Sequence, residues 1–135
     1  MKQEDKIILI NYKREKAKQI LDEVSSHIKN NYLATAMNRI YYAGFNMVTA
    51  LMLIDGFSSS KHSQLIGKFN KDYINSGIID KDIADILNLA YRKRTAVDYH
   101  DFTIVVEEEV QLYYEKMKKF IKLIDEIIEN KLKSL

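Results

Sequence analysis

Apolar residues recur along most of this chain at three- and four-residue spacing, the repeat that lays a single stripe on an α-helix. The first stripe reads Ile10, Ala17, Ile20, Leu21, Val24 and Ile28 and predicts a helix over about residues 4–30, with Lys13, Arg14, Lys16 and Lys18 on its wet face. Asn30 and Asn31 follow as a turn, because Asn tolerates the left-handed backbone that ends helices. A second helix is expected over about residues 32–55. It is apolar around much of its circumference, through Leu33, Ala36, Met37, Ile40, Tyr41, Ala43, Phe45, Val48, Leu51, Met52 and Ile54. Such a helix belongs at the centre of a bundle. Its small residues Ala36, Ala43, Gly44 and Ala50 allow a close neighbour, and Gly56 supplies its stop.

Ser58, Ser59 and Ser60 offer capping hydroxyls for a third helix over about residues 61–75, with Leu65, Ile66, Phe69 and Tyr73 inward. Gly77 closes it. Asp80 caps a fourth helix that starts near Lys81 and runs into the 90s on a stripe of Ile83, Ile86, Leu87 and Ala90, which Arg94 and Val97 continue. A fifth begins near Asp101 or Thr103. Its stripe is Val106, Val110, Tyr113, Met117, Phe120, Ile124 and Ile127, and Glu107, Glu108 and Glu109 occupy its early turns as the helix dipole favours. No run alternates as a strand does. The pattern predicts an all-α, up-and-down bundle of about five helices.

Composition narrows the picture. The chain has 135 residues, enough for one domain over 1–135 with a sizeable core. It lacks proline and has only four glycines, so long helices joined by short turns are expected. It lacks cysteine, which excludes disulfides and thiolate metal sites. No signal-peptide core is recognised and no stretch has the length of a membrane span; the expected location is cytoplasmic, with no membrane partner. A net charge of +2 is too small for a general nucleic-acid coat, so any such contact must come from a local patch.

That patch is residues 91–102, where Arg92, Lys93, Arg94, Asp98, Tyr99, His100 and Asp101 crowd together. A guanidinium presents a planar fork that fits phosphate, and histidine titrates near neutrality. Arg94 and His100 at one phosphodiester could hold the anion and move its proton. The plainer alternative is a charged helix end in which Arg94 pairs with Asp98 four residues on. Residues six apart on a straight helix point about 120° away from each other, so Arg94 and His100 converge only if the helix ends or bends between them, or if each faces a second chain. Arg39, on a mostly apolar helix, needs an anionic partner, and a phosphate or Asp98 would serve. His62 opens the third helix, where the dipole disfavours a positive charge and keeps the ring neutral. His27, near the end of the first helix, reads as structural or solvated. The histidines lie in different helices, and no spacing for a metal site or cofactor motif is present.

Three pieces of this sequence resemble the HEPN domain family. Arg39-Ile40-Tyr41-Tyr42-Ala43-Gly44-Phe45 is similar to its second-helix signature, and Lys61-His62-Ser63-Gln64-Leu65-Ile66 with Phe69 to its third-helix segment. Arg94 to Asp98-Tyr99 resembles its Arg-x-x-x-Asp-Tyr subgroup, and His100 completes an Arg-x(4–6)-His motif. The resemblance implies a homodimer whose two Arg–His sets face one cleft, and a metal-independent, cofactor-free endoribonuclease of a toxin–antitoxin or defence system, with a nucleotidyltransferase as possible antitoxin. It implies Arg94 on phosphate, His100 on the proton and Asp98 orienting them, with Arg39, Tyr41, Tyr42, His62, Arg92, Lys93 and Tyr99 binding RNA or nucleotide. The alternative it leaves open is a non-catalytic module that binds nucleotide, RNA or a partner nucleotidyltransferase through the same residues. A third class, from the sequence alone, is a structural helical adaptor.

Overall fold

The computed structural model describes residues 1–99 and 104–135, without the side chain of Tyr99. Its helices are α1 (Gln3–Lys29), α2 (Leu33–Ile54), α3 (His62–Phe69), α4 (Lys81–Tyr99) and α5 (Glu107–Lys133), and α3 continues into a π-helical turn, Asn70–Ile74. The expected all-α bundle is what forms. The four long helices alternate in direction. Glu23 of α1 meets Arg39 of α2, Tyr42 of α2 meets Arg94 of α4, and Arg14 and Lys18 of α1 meet Asp125 and Glu129 of α5. The short α3 carries the chain back from the end of α2 to the start of α4. No described helix is long and apolar enough to cross a membrane.

The turns follow from residue chemistry. Asn31 takes a φ of 60°, and its N–H and that of Tyr32 donate to the carbonyls of Ile28 and His27, which satisfies the end of α1. Gly56 does the same for α2 at φ 83°, with Phe57 donating to Met52. Asp80 accepts the Asp82 N–H on its carboxylate at the start of α4. The serine expectation changes in detail. Lys61 occupies the N-cap position of α3, and Ser59 accepts the Lys61 N–H while donating to Gln64.

Four further expectations are corrected. The third helix changes winding at Asn70, where the Asn75 N–H reaches the Asn70 carbonyl. The side-chain amides of Asn70 and Asn88 exchange two hydrogen bonds of 3.0 and 3.1 Å, tying that turn to α4. The fifth helix starts at Glu107 rather than in the low 100s, since residues 104–106 are the β-branched run Ile-Val-Val and Val106 is extended. Val106 is consequently exposed. Ile83 faces solvent as well, and Ala84 takes the buried position on α4.

α2 is the core element, packed against α1, α3, α4 and α5. Ala36, Met37, Ile40, Tyr41, Ala43, Met47, Val48, Ala50, Leu51 and Met52 are all wholly buried on it. Each large side chain so buried contributes about 1.5–3 kcal/mol. Gly44 sets the closest approach: a Cβ there would lie 2.7 Å from Sδ of Met117 on α5 and 3.3 Å from Leu87 on α4. Polar clamps close the bundle. Arg14 of α1 binds Asp125 and Glu129 at 2.7 Å each, and Lys18 adds 3.0 Å to Asp125. Burial alone would raise the Asp125 pKa, but the bonds from Arg14 and Lys18 outweigh it and hold the carboxyl below its usual range. Lys131 and the Tyr73 hydroxyl share Asp55 at the other end of α2.

Candidate functional site

Helical spacing puts Tyr91, Arg94 and Asp98 on one face of α4, and Tyr41, Tyr42 and Phe45 on the facing side of α2. The guanidinium of Arg94 crosses the gap. Its Cζ lies 5.6 Å from the ring centre of Tyr41 and 5.3 Å from that of Tyr42, within cation–π reach. One terminal nitrogen donates to the Tyr42 hydroxyl at 3.0 Å. Asp98 stands one turn on, its Oδ2 2.9 Å from Arg94 Nε. That contact is an ion pair rather than an aligned hydrogen bond, because the Nε–H is buried and finds no acceptor in its direction among the described residues. The plainer reading of the sequence, an Arg94–Asp98 pair, therefore exists here together with an aromatic seat for the arginine.

α3 brings His62 to the same place. Its Nδ1 is 2.8 Å from the hydroxyl of Tyr41, which is completely buried. The imidazole stacks on Phe45 with ring centres 4.1 Å apart and meets Tyr42 edge-on. Burial first, and then the charge of Arg94, lower its pKa below 6.5. Burial also pushes the Tyr41 phenol up, so that hydroxyl stays protonated at any ordinary pH. Tyr91 completes the cluster, its ring 5.6 Å from that of Tyr41. A groove of about 250 Å³ opens beside the ion pair, lined by Ala34, Thr35 and Asn38 of α2 and by Asp98. The arrangement is a seated guanidinium beside a partly exposed aromatic wall and a neutral imidazole. Chemically it suits an anion whose flanking group is flat.

Other residues singled out from the sequence lie elsewhere. Arg39 reaches Glu23 of α1, with Nε 3.7 Å from the carboxylate, so its ionic partner is neither Asp98 nor a residue of the aromatic cluster. Lys93 pairs with Glu109 at 2.8 Å and ties α4 to the start of α5. Arg92 is exposed, and its charge is felt at Tyr113 of α5. His100 lies outside the described residues, as do Asp101, Phe102, Thr103 and the side chain of Tyr99, and the expected convergence of Arg94 with His100 falls there. Sequence reasoning assigns no site role to two members of the cluster, Phe45 and Tyr91. The signal for Tyr91 was its place three residues before Arg94, and that for Phe45 its place four after Tyr41.

Comparison with known proteins gives a match to the HEPN domain model over residues 10–129. The chain is 35% identical to a UPF0332 protein of Thermotoga maritima over 130 residues, covering 96% of this chain and 97% of the relative. It is 32% identical over 114 residues to a Methanocaldococcus jannaschii protein named "Putative toxin", with 80% and 77% covered. A second protein so named from that organism is 28% identical over 112 residues, with 78% and 84% covered.

Proposed function

Because the chain belongs to the HEPN domain family, we propose that it is a toxin-type, metal-independent endoribonuclease acting through Arg94, Asp98 and His100. The observation that supports this most is Arg94, a guanidinium seated across two tyrosine rings and paired with a carboxylate one turn on, Asp98, that itself lines a groove. A phosphodiester entering that groove exchanges Asp98 for its own oxygens as the partner of Arg94. His100 supplies the proton chemistry. Acting as a base, it takes the proton of the 2′-hydroxyl while the 2′-oxygen bonds to phosphorus. The P–O5′ bond breaks, and the second histidine of a homodimer protonates the leaving 5′-oxygen. The guanidinium meets the charge that develops on the phosphorane. The strand is left with a 2′,3′-cyclic phosphate on one side and a 5′-hydroxyl on the other. Such an enzyme works on RNA in the cytoplasm and needs restraint, for which a nucleotidyltransferase antitoxin is the expected partner.

The test is cleavage of single-stranded RNA in EDTA. Wild type should leave 2′,3′-cyclic ends, and His100→Ala should lower the rate by about 10²–10⁴. Arg94→Lys should recover only part of what Arg94→Ala loses, since an ammonium cannot bind in bidentate fashion. His27→Ala serves as a control and should match wild type. Light scattering should give twice the 15.8 kDa chain mass. A monomer would remove the second histidine. Equal cleavage by wild type and His100→Ala would assign the activity to a contaminating nuclease.

One observation favours a second reading. The Arg94 charge is already met by Asp98, as in a module that binds RNA, nucleotide or a partner nucleotidyltransferase without cutting. In that case both wild type and His100→Ala bind RNA and neither cleaves.

A further inference from the structure

His62 is a titratable group in the cluster that the cleavage chemistry above does not use. Its surroundings fix its form. Tyr41 is wholly buried, and its hydroxyl meets one polar atom among the described residues, Nδ1 of His62 at 2.8 Å. A phenol has a single hydrogen to place. If Nδ1 carried the proton, that hydrogen would be buried without an acceptor, a loss greater than that of an unused lone pair. The hydroxyl therefore donates to Nδ1, and the ring proton sits on Nε2. Protonating Nδ1 as well would break this bond beside the cation of Arg94 and at the positive end of α3. Nε2 itself has no protein partner among the described residues and is not one of the buried unpaired atoms. The ring is only partly buried.

We propose that His62 is a substrate-binding residue of this site: an uncharged imidazole, locked in one tautomer by Tyr41, that donates Nε2–H to a phosphate oxygen of the strand held by Arg94. The proposal rests on the nucleic-acid reading above. It gives His62 neither a base's role, because the outer nitrogen already carries a proton, nor that of a second cation. Arg94 supplies charge, and His62 supplies direction. The stacked Phe45 holds the ring in plane.

Two substitutions separate the possible roles. Glutamine places an amide donor where Nε2 was. Asparagine places an acceptor where Nδ1 was and leaves the outer position empty. The probe is a 2′-O-methyl single-stranded RNA, which lacks the attacking hydroxyl and stays intact, titrated at several salt concentrations. His62→Gln should bind within about twofold of wild type, and His62→Asn about ten- to a hundredfold more weakly, the worth of one hydrogen bond to a charged phosphate oxygen. Both should keep the wild-type salt dependence, because no charge is removed. Arg94→Ala should flatten the slope of log K against log salt by about 0.7, the share of one phosphate contact on a single strand. Nitrogen-15 NMR of the histidine rings should report the Nε2–H tautomer at neutral pH for His62. Wild-type binding by His62→Asn would overturn the proposal and leave His62 as a cap for Tyr41. A flattened salt slope in His62→Gln, or the Nδ1–H tautomer, would overturn it too. Equal binding by wild type and Arg94→Ala would instead sink the nucleic-acid reading, and the proposal with it.

Discussion

At the scale of single residues, the pair Tyr41–His62 shows what a sequence can and cannot announce. The depressed charge on His62 was legible, because a histidine in the first turn of a helix meets the positive end of the dipole. Its partner was not, since hydrophobic spacing cannot say that a tyrosine 21 positions earlier would offer its hydroxyl. Arg39 is the converse. Its need for a carboxylate was legible, but the partner is Glu23, across the α1–α2 interface. A pH dependence follows from His62. Its folded pKa lies below the unfolded value of 6.5, so between those two values the unfolded chain binds more protons than the folded one. Stability is then fully present above pH 6.5 and declines as the pH falls through that window, reaching a new level below the folded pKa. Urea unfolding of wild type between pH 7.5 and 5 should show this decline (about those limits, set by the histidine range), and in His62→Gln it should be absent. Parallel curves for the two proteins would show that His62 titrates alike folded and unfolded.

At the scale of elements, the boundaries written in turn chemistry were legible and those written in packing were not. Asn31, Gly56 and Asp80 stop or start helices by backbone or side-chain properties of their own. The change of winding at Asn70 coincides with a reciprocal amide pair to Asn88, and no local pattern encodes a contact 18 residues away. Ile83 fits the helical stripe by spacing, yet it stands at the first turn of α4, where it keeps 40% of its surface exposed beside Lys116 and Lys119 of α5. Gly44 was legible as a point of close approach, and its environment gives the cost of filling it. Alanine there gains about 1 kcal/mol of helix propensity while pressing on the flexible tip of Met117, so Gly44→Ala should be nearly neutral. Valine must also displace Leu87 and should destabilise by about 1–3 kcal/mol. Thermal melts of the two variants check this, and an equal loss for both would place the strain in the backbone of α2.

At the scale of the molecule, the all-α bundle and the central place of α2 were legible from an apolar circumference that no surface helix could carry. The closing of the bundle was not. Lys13, Arg14, Lys16 and Lys18 read as one wet face, whereas Arg14 and Lys18 are turned to α5 and fastened there by Asp125 and Glu129. That clamp joins residues 111 positions apart, while α1 with α2, and α4 with α5, join neighbours in the chain. The distance has a kinetic consequence. Contacts between neighbouring helices close short loops and form early; one that must close nearly the whole chain is met late. The Arg14–Asp125 clamp is therefore expected to be unmade at the folding transition state. Asp125→Ala, which strips a charged hydrogen bond worth about 1.5–3 kcal/mol, should speed unfolding by roughly tenfold or more and leave the refolding rate almost untouched. Stopped-flow tyrosine fluorescence across a urea series reads both limbs, and slower refolding with unchanged unfolding would reverse the order of assembly. With no proline in the chain, no isomerising bond adds a phase of tens of seconds, so the docking of α5 onto α1 can be timed directly.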